Sequence, residues 1–128
     1  MAKSDYLEIN VLNHVLRNAA YASPGAVYLA LYTLAEDDSN TAGTEVSGGS
    51  YNRMLVTFAA PVGNQVANDA DILFPVASAD WGTIVSFGIH DDVVTGNLLY
   101  HAPLTADRTI LTSDQLRFPV GQILISED

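Results

Sequence analysis

The chain has 128 residues, 48% hydrophobic and 16% charged, with fifteen acids against five bases, a formal net charge of −10 and no cysteine. That length suits one domain with its own core, residues 1–128, and the acidity disfavours polyanionic partners, so no nucleic acid is expected. Disulfides and thiolate metal sites are excluded, and no apolar run approaches the ~18 residues of a membrane span.

The opening "MAKSDYLEIN" lacks an apolar h-region and does not read as a secretory signal. Asp5 as N-cap with Glu8 three residues on predicts a helix start, both acids suiting the positive end of the helix dipole. Leu7, Val11, Leu12, Val15, Leu16 and Ala19 then recur at three- and four-residue spacing. They predict one apolar stripe on a helix over residues 5–20, ended by Ser23-Pro24-Gly25. His14 falls beside that stripe and reads as a partly exposed or hydrogen-bonded side chain.

From Gly25 the period becomes two. "AVYLALYT" alternates Val27, Leu29 and Leu31 with Tyr28, Ala30 and Tyr32, a strand apolar on both faces. One face is expected to meet the core and the other the helix or a partner chain. "LAEDDSNTAGTEVSGGS" then reads as a long exposed loop. "NRMLVTFA", "DILFPV", "TIVSFGIHD", "NLLYHAPL", "RTIL", "QLRF" and "QILI" supply further short strands, with Pro75 marking a strand end. Residues 26–126 are thus expected to form a mainly β fold, an antiparallel β-sandwich of seven to eight strands preceded by one N-terminal amphipathic α-helix.

Chemistry is sparse. His90 and Asp92 can share a face of a strand, and His101 lies across the expected hairpin, but zinc needs three or four ligands and no further one is visible. His90, Asp91 and Asp92 read as polar groups at a hairpin tip. "EDDSN" and "NDAD" lack the spacing of a calcium hand, "VSGGS" and "IVSFG" lack the nucleophile-elbow pattern, and "SGGS" lacks the Lys-Ser/Thr of a phosphate loop. Neither an enzyme nor a cofactor or metal site is expected. Trp81, the chain's one tryptophan, reads first as a core or corner residue and second as an interface anchor.

"DYLEINVLNHVL", "AVYLALYT", "GTEVSGGSYNR", "FPVASADWGTIVSFGIHD" and "GNLLYHAPLT" together resemble small tailed-bacteriophage virion proteins often labelled tail fibre or tail fibre-like, over Asp5 to Ile125. The acidic "AEDDSN" departs from that pattern, which carries a Pro-containing turn there. The resemblance implies a virion structural protein. No coiled coil, β-helix or repeat gives the chain the length of a fibre. The first expectation is therefore a capsid decoration or cement protein, a homo-oligomer (trimer favoured) bound to the major capsid protein. The alternative is a small tail-associated or fibre-tip module bound to tail proteins and involved in host adsorption. Contact residues are expected at Tyr28, Tyr32 and Trp81 and in the loop from Glu36 to Tyr51, with Asp37 and Asp38.

Overall fold

A computed structural model describes residues 2–127. Strand β1 (Ala2–Lys3) leads into helix α1 (Asp5–Leu16), followed by β2 (Val27–Leu34), β3 (Thr44–Glu45), β4 (Met54–Val56), β5 (Gln65–Ala67), β6 (Ile72–Leu73), β7 (Gly82–His90), β8 (Leu98–Ile110), β9 (Arg117–Phe118) and β10 (Leu124–Ser126). The expectation of a mainly β, antiparallel fold with a single N-terminal helix holds. The strands number ten among the described residues, more and shorter than expected.

The main sheet runs β1-β8-β7-β2-β3, with β4 pairing the first half of the β2 edge that β3 pairs further along. Two antiparallel ribbons, β5 with β10 and β6 with β9, complete the fold. One core joins all three sheets: Leu29 and Leu31 of β2 and Phe87 and Ile89 of β7 share it with Ile72, Phe118 and Ile125 of the ribbons. Because β2 and β7 lie inside the sheet, Leu29 to Tyr32 and Ser86 to His90 are buried on both faces. Their dense apolar runs follow from that central position.

The helix departs from expectation at both ends. Ser4, not Asp5, is the N-cap: its hydroxyl accepts from the Leu7 N–H at 3.2 Å and donates to the Leu98 carbonyl of β8. Capping and anchoring are thus performed by one buried serine. Asp5 and Glu8 still occupy the first turn. At the other end Asn18 takes φ +56, and the N–H groups of Arg17 and Ala19 both reach the Asn13 carbonyl, so the helix stops at Leu16 rather than near residue 20. Of the expected buried stripe only Leu7 is fully buried. Leu12, Val15 and Leu16 are exposed, and Ala19 lies beyond the helix.

"NLLYHAPL" and "RTIL" are one strand, not two. Ser86 pairs with Pro103 and Ile84 with Arg108, so Val85 alone faces the four residues from Leu104 to Asp107. Pro103 has no N–H for a ladder bond, and the chain bulges there and resumes its pairing with β7 at Arg108.

Candidate functional site

The polar residues that the sequence placed on the surface converge beneath β2. Along β7, Ser86, Gly88 and His90 share a face that meets Tyr32 and the start of the following loop. Tyr32 Oη lies 2.6 Å from His90 Nε2, and Ser86 Oγ donates to Glu36 Oε2 at 2.7 Å. Glycine at 88 gives them room. A Cβ there meets Leu98 Cδ1 at 2.9 Å, the Tyr32 ring at 3.1 Å and Glu36 Oε1 at 3.4 Å, so the side chains lie directly over bare backbone. His90 is 2% exposed and Glu36 6%, which corrects their reading as a hairpin-tip group and a solvated loop acid. Glu36 Oε1 and His90 Nδ1 have no hydrogen-bond partner.

Burial sets their charge states. Desolvation raises the Glu36 carboxyl above the ordinary range despite the Ser86 bond. It pushes His90 down to about 4, with the Arg53 charge acting the same way. His90 is therefore neutral in the fold and protonatable in the unfolded chain. The unfolded state binds the extra proton between about 4 and 6.5, so this group's stability is complete above pH 6.5 and lost as pH falls toward 4. We expect His90→Gln to remove about 2–3 kcal/mol of acid-side loss. Urea midpoints of wild type and variant, each at pH 7 and pH 4.5, measure it as a difference of differences. Glu36 runs the other way. Its raised folded value contributes stability that is full below the ordinary carboxyl range and lost as pH rises through the folded value, so Glu36→Gln is expected to stabilise at neutral pH.

A second network fixes the β7–β8 turn. Arg53 holds Glu45 through Nε at 2.9 Å and Nη2 at 2.8 Å, while its Nη1 donates to the Asp92 carbonyl at 3.0 Å and the Thr95 carbonyl at 2.8 Å. Tyr51 Oη donates to Glu45 at 2.7 Å and accepts from the Leu31 N–H at 3.0 Å. Burial acts to raise Glu45, but the bonds from Arg53 and Tyr51 outweigh it and hold the carboxyl below its ordinary range. Asp91 caps the turn from inside, accepting from the Asn97 N–H at 2.6 Å and side-chain amide at 3.0 Å.

The conceivable His90–Asp92–His101 constellation does not assemble. His90 pairs with Tyr32, His101 with Asp38 at 2.6 Å, and Asp92 accepts from the Val94 N–H. No group of three His, Asp or Glu able to hold a metal occurs among the described residues. His14 Nδ1 lies 3.2 Å from the Ala19 carbonyl at the helix end.

The residues expected at a contact surface divide. Tyr32, Glu36 and Trp81 are buried, which removes their side chains from the solvent-facing patch; Trp81 Nε1 donates to the Gly49 carbonyl at 2.8 Å. Tyr28, Asp37 and Tyr51 are half-buried and Asp38 exposed. Asp37 folds its own loop, accepting from the Thr41 N–H at 2.8 Å, the Ala42 N–H at 3.1 Å and Ser39 Oγ at 2.9 Å, bonds that hold its carboxyl down at about 2. Sequence reasoning missed the exposure of Ile9, Leu12, Val15 and Leu16 on α1. Its signal was present as the i, i+3, i+7 spacing of Ile9, Leu12 and Leu16, which overlaps the stripe assigned to the core.

The polar side chains here pair Tyr32 with His90, Ser86 with Glu36 and Arg53 with Glu45, and they set loops on a sheet. Compared with known proteins, no curated protein matches the chain. Residues 2–126 match the family described as podophage GP4 fiber I protein gp80, in agreement with the resemblance read from the sequence. With the match covering nearly the whole length, the chain belongs to the family of the podophage GP4 fiber I protein gp80.

Proposed function

We propose that the chain is a non-enzymatic structural module of a phage tail, a component of the fibre apparatus that takes part in host adsorption. The observation that carries this reading is the match of residues 2–126 to a fibre-protein family. That match favours the tail alternative over capsid cement, which gains no support from it. The fold agrees in kind. A domain without repeats or a long coiled coil cannot span a distance alone, so it serves as a joint or tip within a longer assembly and contributes surface rather than chemistry.

Immunogold labelling and quantitative copy counting of purified virions test this. Tail-localised label, a low copy number, and virions that keep intact heads but fail to adsorb when the protein is missing are the expected results. Label over the head at a copy number in the hundreds, with heads that leak DNA on mild heating in its absence, overturns the reading in favour of cement.

A further inference from the structure

Four of the chain's five bases are engaged by polar partners: Lys3 meets Glu127 at 2.8 Å, Arg17 meets Asn13 at 3.2 Å, Arg53 meets Glu45 at 2.8 Å and Arg117 meets Asp71 at 2.6 Å. The Arg108 guanidinium has no hydrogen-bond or ion-pair partner among the described residues and lies over the Phe118 ring, 5.6 Å from its centroid. Stacking occupies one face of the guanidinium and leaves its N–H edge available. That edge borders a cleft of about 360 Å³, a size that suits a small ligand. The β8 bulge makes the cleft. Pairing with β7 stops at Pro103 and resumes at Arg108, and the residues between leave the ladder opposite the segment from Phe118 to Ile123.

Phe87, Leu104, Phe118 and Ile123 give the cleft an apolar wall, and Thr105, Arg108 and Gln122 supply its polar side chains. Among the described residues no Asp or Glu lines it, although the chain carries fifteen acids. Asp71 comes near through its bond to the Val120 N–H, but it is paired with Arg117. We propose that this cleft binds a sugar carboxylate, one uronic-acid residue of an acidic glycan. A guanidinium presents two parallel N–H donors that match the two oxygens of a carboxylate. The Thr105 hydroxyl and the Gln122 amide both donate and accept, as sugar hydroxyls do, and neither has a protein partner among the described residues. The apolar wall suits the C–H face of a pyranose ring. An acidic peptide offers Arg108 the same carboxylate but enters with one side chain and leaves Thr105 and Gln122 unmatched.

The net charge of −10 opposes an anion at a distance, but salt screens that field beyond ~8 Å at physiological ionic strength, so the short-range fit to Arg108 decides. One ring covers little surface, and a dissociation constant of ~1–10 mM is expected for a single uronate. This deepens the fibre-module reading and rests on it only for where such a glycan is met, on a host surface. Binding is measured on the purified chain, without virions or cells, so its failure and a wrong tail assignment are separate results.

The full chain, labelled with nitrogen-15, is titrated at constant ionic strength with glucuronate and galacturonate, with glucose and galactose as neutral counterparts, and with acetate and a short acidic peptide. At least one uronate is expected to give saturable amide shifts confined to residues 104–108 and 118–123, with its neutral counterpart and acetate each about tenfold weaker or more. Arg108 is exposed, so Arg108→Gln is expected to keep the thermal midpoint while reducing uronate binding to the level of the neutral sugar. Arg108→Lys is expected to be intermediate, keeping charge without the fork. Gln122→Ala is expected to weaken the uronate and leave acetate unchanged. No saturation by ~50 mM of either uronate, shifts elsewhere on the fold, neutral sugar or acetate binding as well as the uronates, uronate binding that survives Arg108→Gln, or tighter binding of the acidic peptide overturns the proposal.

Discussion

Trp81→Ala is expected to cost about 3–5 kcal/mol of unfolding free energy, the range for truncating a buried aromatic. Trp81 is buried where the main sheet meets the ribbons. Its ring stands edge-on to Tyr51 at 5.4 Å and to Phe74 at 6.2 Å, and Phe74 in turn packs against Phe118 of β9 at 6.2 Å. The indole N–H donates to the Gly49 carbonyl, and the Trp81 backbone N–H donates to Ile110 at the end of β8. One residue therefore ties the "SGGS" turn, β8 and the aromatic cluster. Gly49 takes φ +59, and a Cβ there falls 2.8 Å from Trp81 Nε1, so the turn fits only with glycine beneath the indole. Trp81→Phe is expected to be intermediate, keeping ring contacts while losing the bond to Gly49. Urea unfolding followed by far-UV circular dichroism gives the comparison, because the fluorophore itself is removed. A loss under 1 kcal/mol for the alanine variant contradicts this account of the core.

Arg53→Ala is expected to cost about 3–5 kcal/mol, because it leaves a largely buried carboxylate without its partner. The Arg53 side chain is 9% exposed and that of Glu45 25%. Two carbonyls of the β7–β8 turn lose their donor as well. Arg53→Lys keeps the charge, yet an ammonium cannot hold the two carboxylate oxygens and two carbonyls in the planar geometry of the guanidinium, so only partial rescue is expected. The acid limb carries a separate signature. Glu45, held low in the fold, contributes stability that is present above its ordinary range and lost as pH falls through its folded value; Arg53→Ala is expected to remove that contribution. Tyr51 touches both Glu45 and Trp81, so the losses from Arg53→Ala and Trp81→Ala are expected to be non-additive when combined. Strict additivity in that double-mutant cycle separates the two networks.

How far the sequence was legible depends on the reach of each interaction. The helix at Asp5–Leu16 and the strand at Val27–Leu34 follow from periodicities that neighbouring residues impose on one another. The turn after His90 follows from its Asp, Gly and Asn residues. Glu36 was not legible, since an acid in an "EDDSN" run has every local reason to be solvated. Its burial depends on Ser86 and Gly88, which lie some fifty residues away and reach it only once β2 and β7 have paired. His90 was misread for the same reason, as its partner Tyr32 is 58 positions distant. β8 was divided in two because Leu104 to Asp107 break the alternation, whereas the renewed pairing of Arg108 with Ile84 makes it one strand.

By itself the sequence determined an acidic, cysteine-free, mainly β chain with one helix at its start, and its motifs were specific enough to point to the phage fibre-like family. The tertiary structure decided which side of that helix the sheet covers, which acids and histidines lose water, and which aromatic residues lie inside. Local patterns record that a face is apolar or a residue polar. Only the packing of distant strands against it determines whether that face or residue remains in contact with solvent.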